Sequence, residues 1–346
     1  MVAAMTRPVL SVCIPTRNRG ETLVRRVREW LCAAPEGLEF VVSDNASTDG
    51  TPEALAALAG NRLVFVRGAS DVGSFENQLR AFAAAHGRYV MQLTDKDEVL
   101  PPGFDAALAA LARTDAACGA FRLGCAAPSP RPVRLARGLS AYRRHGLAFA
   151  HPSGVFFDRE LLGRTGALDC LRGLDPAMRP FSTDFLVALC LRHGAYADVA
   201  LPFAKLNLPP YAGLARSLSY DGRRACYFAP EFLFRLFVAY VGFLRTHAGF
   251  GPLARASLVA HLVRRRLFPQ MTEVYRWCLA HEGVRAWYGL DAAAAEAEKR
   301  RDLEGGFFRA VADCRELGRL DTMALRLGAG LCRRRARRQR REHGHT

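Results

Sequence analysis

The sequence predicts an α/β protein built on a mostly parallel, doubly wound sheet, with a helical extension behind it. Three observations carry that expectation. Short apolar, β-rich runs alternate with segments of helical spacing through the first third of the chain. The segment after each of the first four runs is polar. Beyond the Pro209-Pro210 pair the pattern turns almost wholly helical.

The elements follow in order. Val9 to Ile14 is the first strand, and Thr22 to Cys32 a helix with Leu23, Val27, Trp30 and Leu31 along one side. Leu38 to Val42 is the second strand, and Pro52 to Leu58 a helix with proline in its first turn. Leu63 to Val66 is the third strand. Ser74 to Ala85 is a helix striped by Phe75, Leu79 and Phe82 and stopped by Gly87. Tyr89 to Leu93 is the fourth strand, and Phe104 to Leu111 a helix. Repeated β-α-β units of this kind make a sheet covered on both faces. From Ala116 to Val199 the pattern is mixed, with a Pro/Arg-rich loop near 128–134 and a helix from Phe185 to His193. Helical runs follow at Tyr227 to Thr246, Leu253 to Leu267 and Met271 to Leu279, with an Ala/Glu/Arg segment from Asp291. The expected division is a sheet domain over 1–208 (halves of 8–115 and 116–208), a helical extension over 209–332, and a disordered basic tail over 333–346.

Half of the 346 residues are apolar and 24% are charged, so the chain can bury a sizeable core. The formal net charge is +16, and residues 333–341 read RRRARRQRR. Such a run either binds an anionic surface, lipid or nucleic acid, or is a solvated end with no partner. The ten cysteines form no CxxC pair, and several lie in apolar runs, as Cys13 and Cys190 do. They read as small buried hydrophobes in a reducing compartment. No signal peptide precedes the Val9 strand, and the most apolar stretch, Phe232 to Leu244, contains Arg235 and is too short to span a bilayer. The expected location is cytoplasmic, as a soluble protein or at the inner membrane face.

In a doubly wound sheet, ligands bind outside the carboxyl ends of the strands. The four polar segments there are Pro15 to Arg19, Asp44 to Gly50, Arg67 to Gly73 and Asp95 to Glu98. All four share one rim. Acids of the second and fourth suit base, ribose and metal. Arg17, Asn45 and Arg67 supply basic and amide groups for phosphate. Each acid also has a plain structural reading. Asp44 can close an Asx-turn, Asp95 and Asp97 can be turn residues before Pro101-Pro102, and Asp184 can cap the helix that follows it.

The runs LSVCIPTRNR, FVVSDNASTDGT, DVGSFENQLRAFAAAHGRYVMQLTDKDEVLPPG and SGVFFDRELLGRTGALD…STDFLVALCLRHG, in that order, resemble the family 2 inverting glycosyltransferases. The resemblance covers residues 9 to 200 and implies a GT-A fold, which is Rossmann-like. It implies that Pro15 and Thr16 touch the nucleotide base and Asp44 the base or ribose. Asp95 and Asp97 match the DxD-type motif for ribose and a divalent metal (Mn²⁺ or Mg²⁺), Asp184 matches the catalytic base, and Arg216 in ARSLS matches a diphosphate contact. The donor implied is a nucleotide diphosphate sugar. The acceptor implied is a glycan, a lipid-linked saccharide or a protein hydroxyl, in polysaccharide or glycoconjugate synthesis. Those residue types suit the chemistry, because a cation steadies the leaving diphosphate and a carboxylate takes the proton of the attacking hydroxyl.

Departures from the family pattern are Lys96 between the two acids and Thr183 where relatives carry glutamate before the base. A later histidine that some relatives place near the metal has no clear counterpart. Asp169 and Asp158 are fallback bases, and His151 is an acceptor-side or structural histidine. The C-terminal helices are expected to pack on the sheet domain or to form an oligomer interface. The rival readings are a sugar-phosphate nucleotidyltransferase, for which PTRNRG is a poor phosphate loop, a basic nucleic-acid-binding protein, and a non-catalytic module.

Overall fold

The computed structural model describes residues 7–124, 133–148, 151–207, 230–274 and 305–343. They fall into two compact units. The first takes the chain up to Ala141, then Phe149–Asp175 and Phe181–Asn207. The second takes Tyr142–Ala148, Pro176–Pro180 and the chain from Leu208. The main division falls between Asn207 and Leu208, and two short segments of the earlier chain belong with the second unit.

The first unit is a nine-stranded mixed sheet in the order β3-β2-β1-β4-β8-β6-β9-β5, with β7 on the far side of β9. Its parallel part is β1 (Leu10–Thr16), β2 (Leu38–Asp44), β3 (Leu63–Arg67) and β4 (Tyr89–Gln92). The helices between them are α1 (Gly20–Ala33), α2 (Thr51–Ala56) and α3 (Gly73–Ala84). Each β-α-β step returns the chain parallel to itself. Then come β5 (Glu98–Val99), α4 (Phe104–Ala112), β6 (Ala116–Leu123), β7 (Val133–Ala136) and α5 (Gly138–His145). The last stretch is β8 (Val155–Asp158), α6 (Arg159–Thr165), α7 (Ala167–Arg172), α8 (Ser182–His193) and β9 (Ala195–Lys205). β8 enters antiparallel between β4 and β6, while β6 and β9 run parallel.

The sheet is apolar on both faces because both are covered. One face carries a chain of aromatic rings. Trp30 stacks on Phe40, and contacts continue through Phe104, Phe203, Phe121 and Phe156 to Tyr89, with centroids 4.6 to 6.4 Å apart. Truncating one such ring to alanine costs about 3–5 kcal/mol. On the other face α3 sets Phe82 against Phe157. The buried Glu39 lies at the amino end of β2, away from the rim. It accepts hydrogen bonds from Ser11 and the His86 amide and faces His86 Nδ1 at 2.8 Å. Gly87 is required there, since a Cβ would lie 2.6 Å from Ser11 Oγ.

The second unit is helical. It contains α9 (Pro230–His247), α10 (Pro252–Leu262) with π turns at Val263–Leu267 and Gln270–Val274, α11 (Phe307–Asp313) and α12 (Arg319–His343). The expected runs at Tyr227 and Met271 lie partly outside the described residues, and the segment from Asp291 lies almost wholly outside them. Asp321, 2% exposed, holds Arg255 Nε through both oxygens at 3.0 and 3.1 Å. Gly328 lets α12 approach α10, since a Cβ there would meet Ala260 O and Val263 Cβ at 3.0 Å. The tail expected to be disordered is the end of α12. Arginine, alanine and glutamine are good helix formers, and no glycine or proline interrupts residues 331–343. Among the described residues no disulfide occurs, and no helix is long and apolar enough to cross a membrane.

Candidate functional site

The register of the parallel strands sets Thr16, Asp44 and Arg67 in one row at the carboxyl ends of β1, β2 and β3. β4 stops at Gln92, opposite Cys13, so its loop crosses the level of that row. The sequence placed these segments on one rim, and there they are.

The first two loops lock together. Asn18 adopts a left-handed φ of 52°, which asparagine tolerates. Its amide donates to Ser47 Oγ at 2.8 Å, and its Oδ1 accepts from the Thr48 amide at 2.9 Å. Asp44 is fully buried. Its carboxylate accepts from the Ser47 amide at 3.0 Å and from the Ser47 hydroxyl. This is the Asx-type closure that the sequence allowed. It bends the loop through Ala46, whose φ of 56° is strained for a residue with a Cβ.

The third loop anchors both of these. Asp71 accepts from Arg17 Nη1, Asn45 Nδ2 and the Gly73 amide. The Gly73 amide foremost, then the Arg17 guanidinium and the Asn45 amide, hold its carboxyl below the usual carboxylate range. Asn45 Oδ1 in turn accepts from the Val72 amide at 3.0 Å. Below them Asn77 of α3 donates to the carbonyls of Ser43 and Thr16 and accepts from Ser43 Oγ, tying β1 to β2.

The fourth loop carries the acids. Asp95 Oδ2 accepts from Thr16 Oγ1 at 3.1 Å and from Arg19 Nε at 3.0 Å. Among the described residues nothing donates to its Oδ1. Asp97 differs. It is 0% exposed, and its Oδ2 accepts from Thr94 Oγ1 at 2.6 Å and Ser153 Oγ at 2.7 Å. Its Oδ1 accepts from the Asn207 amide at 2.9 Å. Protein donors thus reach both oxygens of Asp97, unlike those of Asp95. The Lys96 carbonyl between these acids is pinned by Arg26 at 3.0 Å and Asn207 at 2.9 Å.

His151 Nδ1 stands 3.6 Å from Asp97 Oδ2, which is too far for a hydrogen bond, and accepts from the Ser153 amide at 3.3 Å. Burial pushes its pKa down. The neighbouring Asp97 charge opposes that shift and the Lys96 charge adds to it. The ring is therefore neutral at pH 7 and the contact is not an ion pair.

Divalent ions such as Mg²⁺ are held by one or two carboxylates together with substrate phosphates and water. The free oxygen of Asp95 fits that use, although no group of three or more His, Cys, Asp or Glu suited to a metal occurs among the described residues.

The remaining candidates separate. Asp184 is buried in the first turn of α8, two residues inside its start, where a negative charge meets unpaired amides. Asp158 caps α6 by accepting from the Leu161 amide at 2.8 Å, and the exposed Asp169 pairs with Arg172, so both fallbacks have structural partners. Arg67 is exposed and faces Glu53 at 3.5 Å. Pro15 is half-buried in β1, and Arg216 lies outside the described residues.

The fold and rim together define a GT-A-type domain, the class that binds nucleotide sugars at the carboxyl edge of such a sheet. Residues 11–166 match glycosyl transferase family 2. The match lies within the sheet domain and covers most of it, so that domain is of the family 2 glycosyltransferase type. The solved structure of Staphylococcus aureus TarS residues 1–349 with UDP superposes with a TM-score of 0.56 at 14% identity, covering 94% of this chain and 91% of that one. The same TarS fragment with UDP-GlcNAc gives the same values. At that identity the likeness shows a shared fold. No protein of curated function matches the chain.

Proposed function

We propose that the protein transfers a sugar from a nucleoside diphosphate donor to an acceptor hydroxyl in one displacement, with inversion at the anomeric carbon. The observation that carries this reading is Asp95, oriented by Thr16 and Arg19 at the rim, with one oxygen that no donor among the described residues reaches. In the proposed step the acceptor oxygen bonds to C1. The bond from C1 to the diphosphate oxygen breaks with its electron pair on the diphosphate, and Asp184 takes the hydroxyl proton. Asp95 would hold a divalent ion together with the donor's own phosphates, and that ion supplies Lewis-acid neutralisation of the leaving group.

The chain's residues then have separate tasks. Thr16, Asp44 and Asn45 shape the pocket for base and ribose. Arg17, fixed by Asp71, and Arg19 lie beside the diphosphate, and Asp97 holds the Asp95 turn in place. Cationic Lys96 adds positive charge beside the ion site and weakens the pull on a metal. A glycan, lipid-linked saccharide or protein hydroxyl is the acceptor we propose, in polysaccharide or glycoconjugate synthesis.

A panel of UDP-, GDP-, dTDP- and CMP-sugars with and without Mn²⁺, read by thermal shift, tests this reading. The TarS neighbour was solved with UDP and UDP-GlcNAc, which puts uridine donors first. A donor at a hundred times its Kd stabilises by about 2.7 kcal/mol. The shift should shrink strongly in Asp95→Asn. No shift with any donor, or equal shifts in wild type and Asp95→Asn, would refute the assignment.

A further inference from the structure

Helix α12 presents a second apolar face that the second unit does not use. Its buried side, with Leu325, Ala329 and Cys332 at 0 to 6% exposure, belongs to the core of that unit. Beside it runs a stripe of Leu320, Met323, Leu327 and Leu331, exposed at 41, 65, 62 and 37%. Their spacing of three, four and four residues keeps them on one side of the helix. Four large apolar side chains in a row are not the scattered exposure of an ordinary surface. The same helix runs on without a break into the seven arginines of residues 333–341 and ends at His343.

We infer that α12 docks the protein on an anionic lipid bilayer, lying in the interface with its leucine–methionine stripe turned into the headgroup boundary. An apolar stripe continuous with a dense basic segment is the pattern of an interfacial helix, which needs both terms to bind stably. Charge decides among the occupants. A second copy packed in parallel along the stripe would bring two seven-arginine segments together and repel itself. Nucleic acid would satisfy the arginines and leave the stripe in water. An anionic bilayer satisfies both, and a helix of 25 residues, roughly 38 Å long, can lie along its surface. The inference rests on α12 alone and stands or falls apart from donor chemistry.

Flotation of the full chain with phosphatidylcholine vesicles, with and without phosphatidylglycerol, tests it. Recovery should rise about tenfold or more with phosphatidylglycerol at low salt and fall as salt is added. Met323→Glu/Leu327→Glu changes only exposed positions, so its melting temperature should match wild type while its binding falls about tenfold. Replacing the seven arginines of 333–341 with glutamine should abolish the lipid preference. Wild-type binding by the glutamate pair, or equal recovery on both vesicle types, would overturn the inference. So would a wild-type dimer that the glutamate pair splits while neither protein floats, or retention on RNA without flotation.

Discussion

Asp97→Ala is the perturbation that best separates a buried post from a metal ligand. The side chain is 0% exposed and accepts from Thr94 Oγ1, Ser153 Oγ and the Asn207 amide at 2.6 to 2.9 Å. A hydrogen bond to a charged group contributes about 1.5–3 kcal/mol, and a buried donor left unpaired costs a similar amount. The two hydroxyls can turn elsewhere, and the folded protein no longer has to desolvate a carboxylate, so the three losses do not add in full. A net cost of about 3–4 kcal/mol follows. For a domain of this size each kcal/mol moves the midpoint by about 2–4 °C, so the melting temperature should fall by roughly 6–16 °C. Asp97→Asn keeps an oxygen for the Asn207 amide and should lose about half as much. Melting followed by far-ultraviolet circular dichroism, without donor or metal, reads this directly. An alanine variant that melts with wild type but loses Mn²⁺-dependent donor binding would refute the post and restore Asp97 as a ligand.

Three further outcomes are expected. Asp184→Asn should lower turnover by about a hundredfold or more while donor affinity stays near wild type, because the lost interaction belongs to the transition state; collapse of donor binding would make Asp184 a donor or structural residue. His151 is held neutral by burial, with its pKa pushed down, so unfolding takes up a proton once the pH drops below about 6.5. The stability this contributes is full above that pH and is lost as the pH falls towards the depressed folded value. His151→Asn should therefore flatten the acid side of a melting-temperature profile, though not wholly, since burial lowers the pKa of His261 as well; an unchanged profile would count against it. Lys96→Asp should raise Mn²⁺ affinity by about tenfold in a titration read by calorimetry, since a cation is replaced by a carboxylate between the two aspartates; unchanged affinity would show that the ammonium does not face the ion site.

Much of the fold was legible because local pattern and tertiary demand agree in the parallel part of the sheet. Leu23, Val27 and Trp30 recur at helical spacing because α1 has one face against the sheet, and the structure buries all three. The strands read as unbroken apolar runs because both faces are covered. The later sheet was harder. β6, β8 and β9 pair in both senses across long gaps, and nothing local in Val155–Asp158 states that β8 slots between β4 and β6. Nor could composition show that Tyr142–Ala148 and Pro176–Pro180 leave the sheet unit, since such segments are assigned by what they touch.

The site was legible in outline and not in detail, and the division has a physical cause. A strand end fixes the place of Asp44, Asp95 and Asp97 along the chain, and topology then puts them on one rim. Which acid keeps a free oxygen depends on donors that arrive from far away in sequence. Ser153 and Asn207 lie 56 and 110 residues beyond Asp97. Arg19 and Thr16 reach Asp95 across 76 and 79 residues. Asp71, absent from the sequence-derived candidates, becomes a hub only because β3 lies next to β2, which brings Arg17 and Asn45 to it. Its one local signal was an aspartate two residues before Gly73 in a loop between a strand and a helix, where side chains often close turns. Strand alternation would turn Lys96 away from its two acidic neighbours. That rule holds for strands, and β4 ends at Gln92, four residues earlier. In the turn that follows, the carbonyl of Lys96 is clamped by Arg26 and Asn207, and its ammonium acts on His151. The charge balance of the rim is therefore set by tertiary contacts: one acid buried and filled, one acid half free, and a lysine placed between them.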